Sequence, residues 1–517
     1  MRRIFVPAGA GLLAAAAGVA VAELLATATR PQAAPLVAVG ATVIDGAPTP
    51  VKEFAVRTFG TYDKPLLLAG IGLALAVLAG VTGVLARRRA RYGLLGVALF
   101  GAVGVAAALT RPDARPTDAL PALVGAAVAA TLLGRLPLPG LTDASPDPGT
   151  ADPSGTGEPS GTGGPVGPGR RELVRNAALV AAGTAVAGLG TAVLRRTGSA
   201  DAARSRAAVR LPAPRDPARP LPAGTAPGFH TRTADFYRVD TALTVPRLDV
   251  DSWRLRLHGM VERPVELTFA DLLDRGLIER DVTLSCVSNE VGGPYVGTTR
   301  WLGAPLAPLL RRAGIRAGAD QLVARSAEGM TIGTPLATLL DGRDAMLAVG
   351  MDGAPLPFAH GFPVRMLTPG VYGYAGACKW VTELEVSTFD AFDAYWVRRG
   401  WARDAPVRTA SRIDRPTPFA QLDAGTVGVA GVAWAQHRGI SAVEVSVDDG
   451  PWRRARLLPT ASTDTWVQWR YDWPATPGGH SLRVRATDGT GATQPEARRP
   501  PFPAGATGWH TVTVTVR

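Results

Sequence analysis

The chain has only two cysteines, Cys286 and Cys378, in 517 residues. Two thiols cannot by themselves ligate an ordinary iron–sulfur cluster, and no C-x-x-C-H stretch for a c-type haem is present. The six histidines are scattered, and none lie at metal-ligand spacing on one element. The P-loop, the G-x-S-x-G elbow and the H-E-x-x-H motif are also absent. The sequence therefore excludes several common enzyme classes, and any catalysis must use a less common site.

The first 200 residues are rich in Ala, Leu, Val and Gly, and they contain five apolar segments. Four of these segments approach the ~20 residues that span ~30 Å of membrane hydrocarbon, and the fourth segment is shorter. Buried helices of a soluble domain are the alternative, but residues 66–86 carry no charge at all. We therefore expect five transmembrane helices, at residues 4–22, 66–86, 92–110, 119–134 and 176–194.

The net charge of +12 comes mostly from arginine, and much of it lies beside the apolar segments. This placement indicates membrane topology and not a nucleic-acid partner. With five spans, the arginine-rich loops fall mainly on one side, which the positive-inside rule assigns to the cytoplasm. The sequence predicts a multi-pass protein of a bacterial plasma membrane, with everything after the fifth span outside the cytoplasm.

Four of the spans lie in residues 1–135, and residues 136–169 are a Pro-, Gly- and Ser-rich segment that predicts a flexible cytoplasmic linker. The fifth span follows in residues 170–196. It begins with Arg170-Arg171, and this stretch resembles a twin-arginine export signal, a route that carries proteins already folded around a cofactor. A plain positive-inside anchor is the alternative. Residues 197–228 then form an extracytoplasmic tether.

Two further domains are predicted after the tether. In residues 229–403 strands alternate with short helices, one of them capped by Thr268 with Asp271 three residues later, which indicates an α+β domain. Residues 404–517 contain short alternating strands separated by turns, which predicts an all-β, immunoglobulin-like sandwich. The fold class is thus multi-domain: a helical membrane region, an α+β domain and a β-sandwich.

Cys286 lies in the stretch LSCVSNEVGGPYVG, at the end of a β-like run and before a Gly-Gly-Pro turn. It could form a disulfide with Cys378, as is natural in an exported domain. It could be a nucleophile, although nothing in the spacing places a base such as His360 beside it. It could be a soft metal ligand or a buried inert thiol. Residue chemistry alone leaves these four alternatives open.

Four stretches resemble the sulfite oxidase family of molybdopterin oxidoreductases, in a membrane-anchored, actinobacterial-type form. They are FYRVDTALTVPRLDVDSWRLRLHG (236–259), TLSCVSNEVGG (283–293), HGFPVRMLTPGVYG (360–373) and CKW (378–380). The resemblance implies that Cys286 ligates molybdenum and that the C-terminal sandwich supports a homodimer. It also implies that the molybdopterin is bound by Tyr237, Arg238, Asn289, His360, Arg365 and Lys379.

The sequence departs from the family pattern at the substrate side. Asp240 stands where sulfite oxidases have an arginine, and Trp401 stands at the active-site tyrosine, so sulfite is doubtful as the substrate. Tyr295, Arg300 and Trp401 are our candidates for contacting a small S- or N-oxo substrate beside Cys286. With no haem motif, a separate cytochrome or quinone must carry the electrons. The alternatives are an exported scaffold protein with an inactive domain and a cysteine-dependent thiol enzyme.

Overall fold

The computed structural model of the protein describes residues 2–48, 51, 54, 58–59, 63–111, 114–135 and 170–517. The predicted linker at 136–169 lies outside the described residues. The chain divides into two compact units, Met1–Ala200 and Asp201–Arg517.

The first unit is helical. Within its described residues, five helices are long and apolar enough to cross a membrane, with mean hydropathies between 1.5 and 2.3. Each predicted apolar segment coincides with one of these helices, which confirms their number, although the fifth helix is longer than predicted. The sequence did not predict a sixth, shorter helix, α2. The helices are α1 Arg2–Ala28, α2 Pro35–Gly46, α3 Asp63–Arg88, α4 Ala90–Leu109, α5 Leu120–Arg135 and α6 Arg170–Ala208.

Small residues let α1 and α5 approach closely. A Cβ atom added at Gly18 would lie 2.5 Å from the carbonyl oxygen of Gly125, so the backbones meet where neither residue has a side chain. Buried charge is paired: Glu23 of α1 accepts a hydrogen bond from Arg195 of α6 at 2.6 Å. Charges that would be costly in an apolar bundle are thus neutralised within it.

The first part of the second unit is built on two sheets. Their strand orders are β2-β1-β10-β5-β6 and β3-β4-β7-β8, with β9 paired to β7. The strands are β1 Arg254–Gly259, β2 Val265–Thr268, β3 Ile278–Ser285, β4 Val296–Pro305, β5 Gln321–Ser326, β6 Thr331–Pro335, β7 Met346–Met351, β8 Ala354–Pro355, β9 Arg365–Leu367 and β10 Val381–Ser387.

Short helices connect these strands. Thr268 caps the first, since its hydroxyl accepts a hydrogen bond from the Asp271 N–H and the Asp271 carboxylate accepts one from the Thr268 N–H, which confirms the predicted capping box. The helices are α7 Phe269–Leu273, α8 Leu306–Ala313, α9 Leu336–Leu340 and α10 Gly373–Gly376. This strand–helix alternation agrees with the predicted mixed α and β domain.

Residues 410–516, called here the C-terminal β region, form two sheets that share one buried apolar core. Trp469 from one sheet packs in this core with Val484 and Val514 from the other. The sheet orders are β11-β13-β17-β16 and β12-β19-β18-β14-β15. The strands are β11 Ala410–Arg415, β12 Gln421–Leu422, β13 Gly425–Trp434, β14 Ile440–Val447, β15 Arg453–Arg454, β16 Arg456–Leu457, β17 Val467–Ala475, β18 Gly478–Asp488 and β19 His510–Val516. An immunoglobulin-like relationship stays a prediction.

Candidate functional site

Cys286 is the first residue of the loop that joins β3 to β4, called here the cysteine loop. Its N–H donates to the carbonyl oxygen of Tyr295 at 2.9 Å, so the hairpin pairing continues one residue beyond β3. The Asn289 side-chain oxygen accepts from the Tyr295 N–H at 2.8 Å, and the Asn289 N–H donates to the Cys286 carbonyl oxygen at 3.1 Å. Asn289 therefore closes the loop and fixes where the cysteine backbone lies. Its predicted contact with a cofactor is not tested by this geometry.

The thiol of Cys286 is free and 9% exposed. Burial raises its pKa, while a contact of 2.9 Å with the Ser288 hydroxyl and the charge of Lys379 act in the opposite direction. Cys378 is also free and lies in the apolar core of the first sheet, where burial raises the pKa of its thiol. The structure thus excludes the Cys286–Cys378 disulfide alternative.

Three predicted cofactor-binding residues lie together. The buried Arg365 donates from Nη1 to the carbonyl oxygen of His360 at 3.3 Å, and its guanidinium lies 5.1 Å from the centre of the Trp301 ring. Gly361 has a φ of +112°, and a Cβ atom there would lie 3.2 Å from the Lys379 backbone, so this turn brings His360 and Lys379 close. The structure places these three residues close together, and their binding of a cofactor stays a prediction.

Burial perturbs all three groups. It lowers the pKa of Arg365 to about 10, that of Lys379 to about 8 and that of His360 to about 4. The neighbouring cations lower the pKa of His360 further, whereas Asp240 raises that of Lys379. At neutral pH the arginine and lysine are therefore cationic and the histidine is neutral.

Two polar atoms in this cluster have no hydrogen-bond partner within the part of the chain that the structure describes. They are Nδ1 of His360 and Nε of Arg365, and both are buried. An unsatisfied buried polar group costs about 1–3 kcal/mol. The Nε–H of Arg365 is a donor that fits a bound anion. The neutral His360 ring donates to the Thr233 backbone, so its Nδ1 is an acceptor and fits a donor group of a bound molecule.

Tyr237 and Arg238 reach the same cluster by different contacts. The Tyr237 ring stacks on Phe236 and lies 6.3 Å from the Tyr295 ring. Burial and the nearby Cys286 raise the pKa of Tyr237. Arg238 donates to the Asp240 carboxylate at 3.0 Å, so it joins the cluster through that acid.

Asp240 has a role that sequence reasoning did not predict. Its buried carboxylate lies 2.9 Å from Lys379 Nζ as well as accepting from Arg238. The sequence shows only that an acid replaces an arginine; the lysine that it meets is 139 positions away. Asp240 is therefore the counter-ion of a predicted cofactor-binding residue.

The structure does not bring Arg300 to this cluster. Arg300 lies opposite Asp281 in the β3–β4 register, and its Nε and Nη2 both bind that carboxylate at 2.9 Å. Asp281 is five residues before Cys286 along β3, a separation of about 16 Å at ~3.3 Å per residue. The expectation that Arg300 contacts substrate thus lacks support, because a cross-strand ion pair already holds its side chain.

Trp401 belongs to an aromatic cluster, with ring centres 5.7 Å from Tyr374, 6.2 Å from Trp396 and 5.3 Å from Phe502. The same apolar cluster includes Val287, the neighbour of Cys286, and Tyr372. Trp401 is thereby linked to the cysteine loop by packing. No contact between Trp401 and the thiol is seen in the described residues.

Sequence reasoning also missed the surroundings of the loop. A cavity of about 20 Å³, room for about one water, is lined among others by Ser285, Asn289, Tyr372 and Gln494. Ser288 lies in the stretch 283–293 and Tyr372 in the stretch 360–373. Only their polar side chains could have indicated from the sequence that they lie near Cys286.

No group of three or more His, Cys, Asp or Glu residues suited to a metal occurs in the described residues. A metal at Cys286 would therefore need most of its donors from a cofactor. A soft thiolate beside buried cations and an unpaired donor suits such a group.

Comparisons with known proteins agree with this chemistry. A family model described as "Oxidoreductase molybdopterin binding domain" matches residues 242–396. Human mitochondrial sulfite oxidase is 30% identical over 311 residues, which cover 50% of this chain and 56% of that protein. Nitrate reductase [NADH] 1 of Oryza sativa subsp. japonica is 34% identical over 195 residues, which cover 32% of this chain and 21% of that protein.

Among solved structures, the sulfane dehydrogenase SoxCD from Paracoccus pantotrophus is similar, with a TM-score of 0.47 and 26% identity. The match covers 53% of this chain and 78% of that one. This chain spans about half the length of the mammalian sulfite oxidases it matches.

Proposed function

We propose that this chain, whose residues 242–396 belong to the sulfite oxidase-like family of molybdopterin-binding oxidoreductases, is a membrane-anchored molybdenum enzyme acting outside the cytoplasm. Its reaction would be a two-electron oxygen-atom transfer on a small S- or N-oxo substrate. The single observation that carries this proposal is that the free thiol of Cys286 is under the charge of the buried Lys379, which lies with the unsatisfied buried atoms of Arg365 and His360.

Each residue of the cluster has a role in holding the cofactor. Cys286 would supply the protein thiolate to molybdenum, and the charge of Lys379 favours that thiolate. Arg365 and Lys379 would bind the anionic phosphate of the pterin. The neutral His360 would complete a hydrogen bond at Nδ1. When bound, the cofactor supplies a two-electron redox couple.

The substrate that fits best is a neutral oxide and not a sulfite dianion. Asp240 neutralises cationic charge from Lys379 and Arg238, and its carboxylate would repel a dianion. Tyr295, at the far end of the cysteine loop, stays our candidate for contacting substrate.

The rest of the chain supports proposals on the location, export, electron partner and assembly of the protein. The five long apolar helices support a membrane anchor, and the arginine distribution supports an extracytoplasmic catalytic domain. We infer export through Arg170-Arg171, electron exchange with a separate cytochrome or quinone, and a homodimer formed through an immunoglobulin-like C-terminal region. The domain boundaries predicted from the sequence are part of the same proposal.

The proposal is tested on the full chain, purified in detergent from a host that synthesises the cofactor. We expect about one molybdenum per chain, and turnover of sulfoxides or N-oxides with an artificial electron dye to exceed turnover of sulfite. Cys286→Ser should remove the visible absorption of the metal–thiolate bond. Molybdenum far below one per chain would instead favour the scaffold alternative. A metal-free chain whose Cys286 alone reacts with nucleophile-directed labels would favour the thiol enzyme.

A further inference from the structure

The C-terminal β region contacts the cysteine loop at its glycine turn. Arg412, on β11, donates from Nη1 to the carbonyl oxygen of Gly293 at 2.7 Å. His510, the first residue of β19, lies against the neighbouring Gly292. Both contacts fall within seven residues of Cys286, on the side of the loop that leads to β4.

Both positions of this turn leave no room for a side chain. Gly292 has a φ of +79°, and a Cβ atom there would lie 2.2 Å from the His510 ring. A Cβ atom at Gly293 would lie 2.6 Å from the side-chain oxygen of Asn289, which closes the loop. Any other residue at these positions would push the loop away from His510 or away from Asn289.

The same region also contacts the strand before the loop, at Thr283 on β3, three residues before Cys286. The Thr283 N–H donates to the carbonyl oxygen of Asp464 at 2.9 Å, and the Thr283 hydroxyl accepts from the Trp466 N–H at 2.7 Å. Gln436 Nε2 donates to the Thr283 carbonyl oxygen at 2.9 Å. Three polar groups of one β3 residue are thus paired with the C-terminal β region.

We infer that Arg412 and His510 are positioning residues for Cys286, and that the C-terminal β region is a structural part of the metal site. The cysteine is held by contacts on both sides, so its thiol keeps one position. This role rests on the proposed function only in that Cys286 is taken as the metal ligand. The restraint on the loop itself is independent of any cofactor.

The chain offers a matched pair of arginines for the test. Arg412 Nε binds Asp414 two residues later at 2.6 Å, and Arg470 Nε binds Asp472 two residues later at 2.7 Å. Both lie on strands of the same sheet, but in the described residues only Arg412 also reaches the cysteine loop. Arg470→Ala therefore removes one positive charge from the sheet, as Arg412→Ala does, but it leaves the contact between Arg412 and the cysteine loop intact.

Thiol reactivity reports the loop position without using the cofactor. All variants are made in a Cys378→Ala background, so that Cys286 is the single cysteine, and the full chain is purified from a host lacking the cofactor. A charge-assisted hydrogen bond restrains the loop, so we expect Arg412→Ala to speed alkylation of Cys286 about tenfold over background. Arg470→Ala should leave the rate unchanged, and Arg412→Lys should restore part of the protection.

The loaded protein, with Cys378 retained, gives a second, separate readout. Arg412→Ala and His510→Ala should shift the visible absorption and the Mo(V) paramagnetic resonance spectrum, while Arg470→Ala should not. Equal alkylation rates for Arg412→Ala and Arg470→Ala would overturn the inference, even if the protein carries molybdenum. Faster alkylation of Cys286 in Arg412→Ala, together with no molybdenum in any protein from the host that synthesises the cofactor, would keep the loop restraint and refute the proposed function.

Discussion

The ion pair between Asp240 and Lys379 allows a quantitative prediction. Their atoms lie 2.9 Å apart, and the two side chains are only 5% and 9% exposed. Asp240→Asn keeps the shape of the side chain but removes the charge. Lys379 then keeps a buried ammonium without its carboxylate, because Arg238, the other partner of Asp240, is itself a cation.

Removing one partner of a buried ion pair typically costs 3–5 kcal/mol, since the remaining charge is left uncompensated. The cost depends on pH. The pKa of Lys379 is about 8 in the folded protein, below its ordinary value of 10.5, and loss of Asp240 lowers it further. The full loss applies only at pH values below the lowered pKa of Lys379 in the variant, where the residue is charged in both proteins. Above that pKa the loss shrinks by about 1.4 kcal/mol per pH unit, and it vanishes above about pH 8, where Lys379 is neutral in both proteins.

The assay is thermal unfolding of the cofactor-free full chain in detergent, followed by tryptophan fluorescence between pH 6 and 10. At roughly 2 °C per kcal/mol, Asp240→Asn should lower the Tm of the second unit by up to about 5 °C at pH 6, because pH 6 lies about two units below the wild-type pKa of Lys379, and by clearly less at pH 10. Asp472→Asn, which removes an exposed partner of Arg470, is the control and should cost less than about 1 kcal/mol. A shift equal to the control, or one that does not vary with pH, would refute the reasoning.

Three further predictions concern the cofactor, the membrane unit and export. Arg365→Leu should lower pterin and molybdenum content more than tenfold by metal analysis, because it removes a buried cation with an unpaired donor; normal content would contradict its role. Gly18→Leu should lower the yield of monodisperse protein in detergent, because a side chain there meets the Gly125 backbone, whereas Gly9→Leu has free space and serves as the control. Changing Arg170-Arg171 to Lys-Lys should leave the catalytic domain protected from external protease in spheroplasts, and unchanged cleavage would exclude the twin-arginine route.

The features that the sequence predicted well depend on local patterns. The long apolar helices follow from long apolar runs, and the Thr268 cap follows from a contact between residues three apart. The site features it missed depend on long-range register. Arg300 was assigned to the substrate because its charge is visible, while Asp281, which holds it, is identified only once the β3–β4 register is known. The approach of His510 to Gly292 has no signal in either segment, because 218 positions separate two surfaces that fit only when folded.

The positive charges of the cluster are compensated unequally. Within the described residues, Asp240 forms ion pairs with Lys379 and Arg238, whereas Arg365 has no carboxylate at ion-pair distance. Arg365 is a buried cation, and its burial costs free energy unless an anion binds beside it. A cofactor phosphate would supply that anion at Arg365. On the other side, the Asp240 carboxylate already offsets cationic charge that could attract an anionic substrate. Lys379 and Arg238 carry two positive charges and Asp240 carries one negative charge, so the proposed preference for a neutral oxide over sulfite rests on the position of the Asp240 carboxylate and not on a neutral surface.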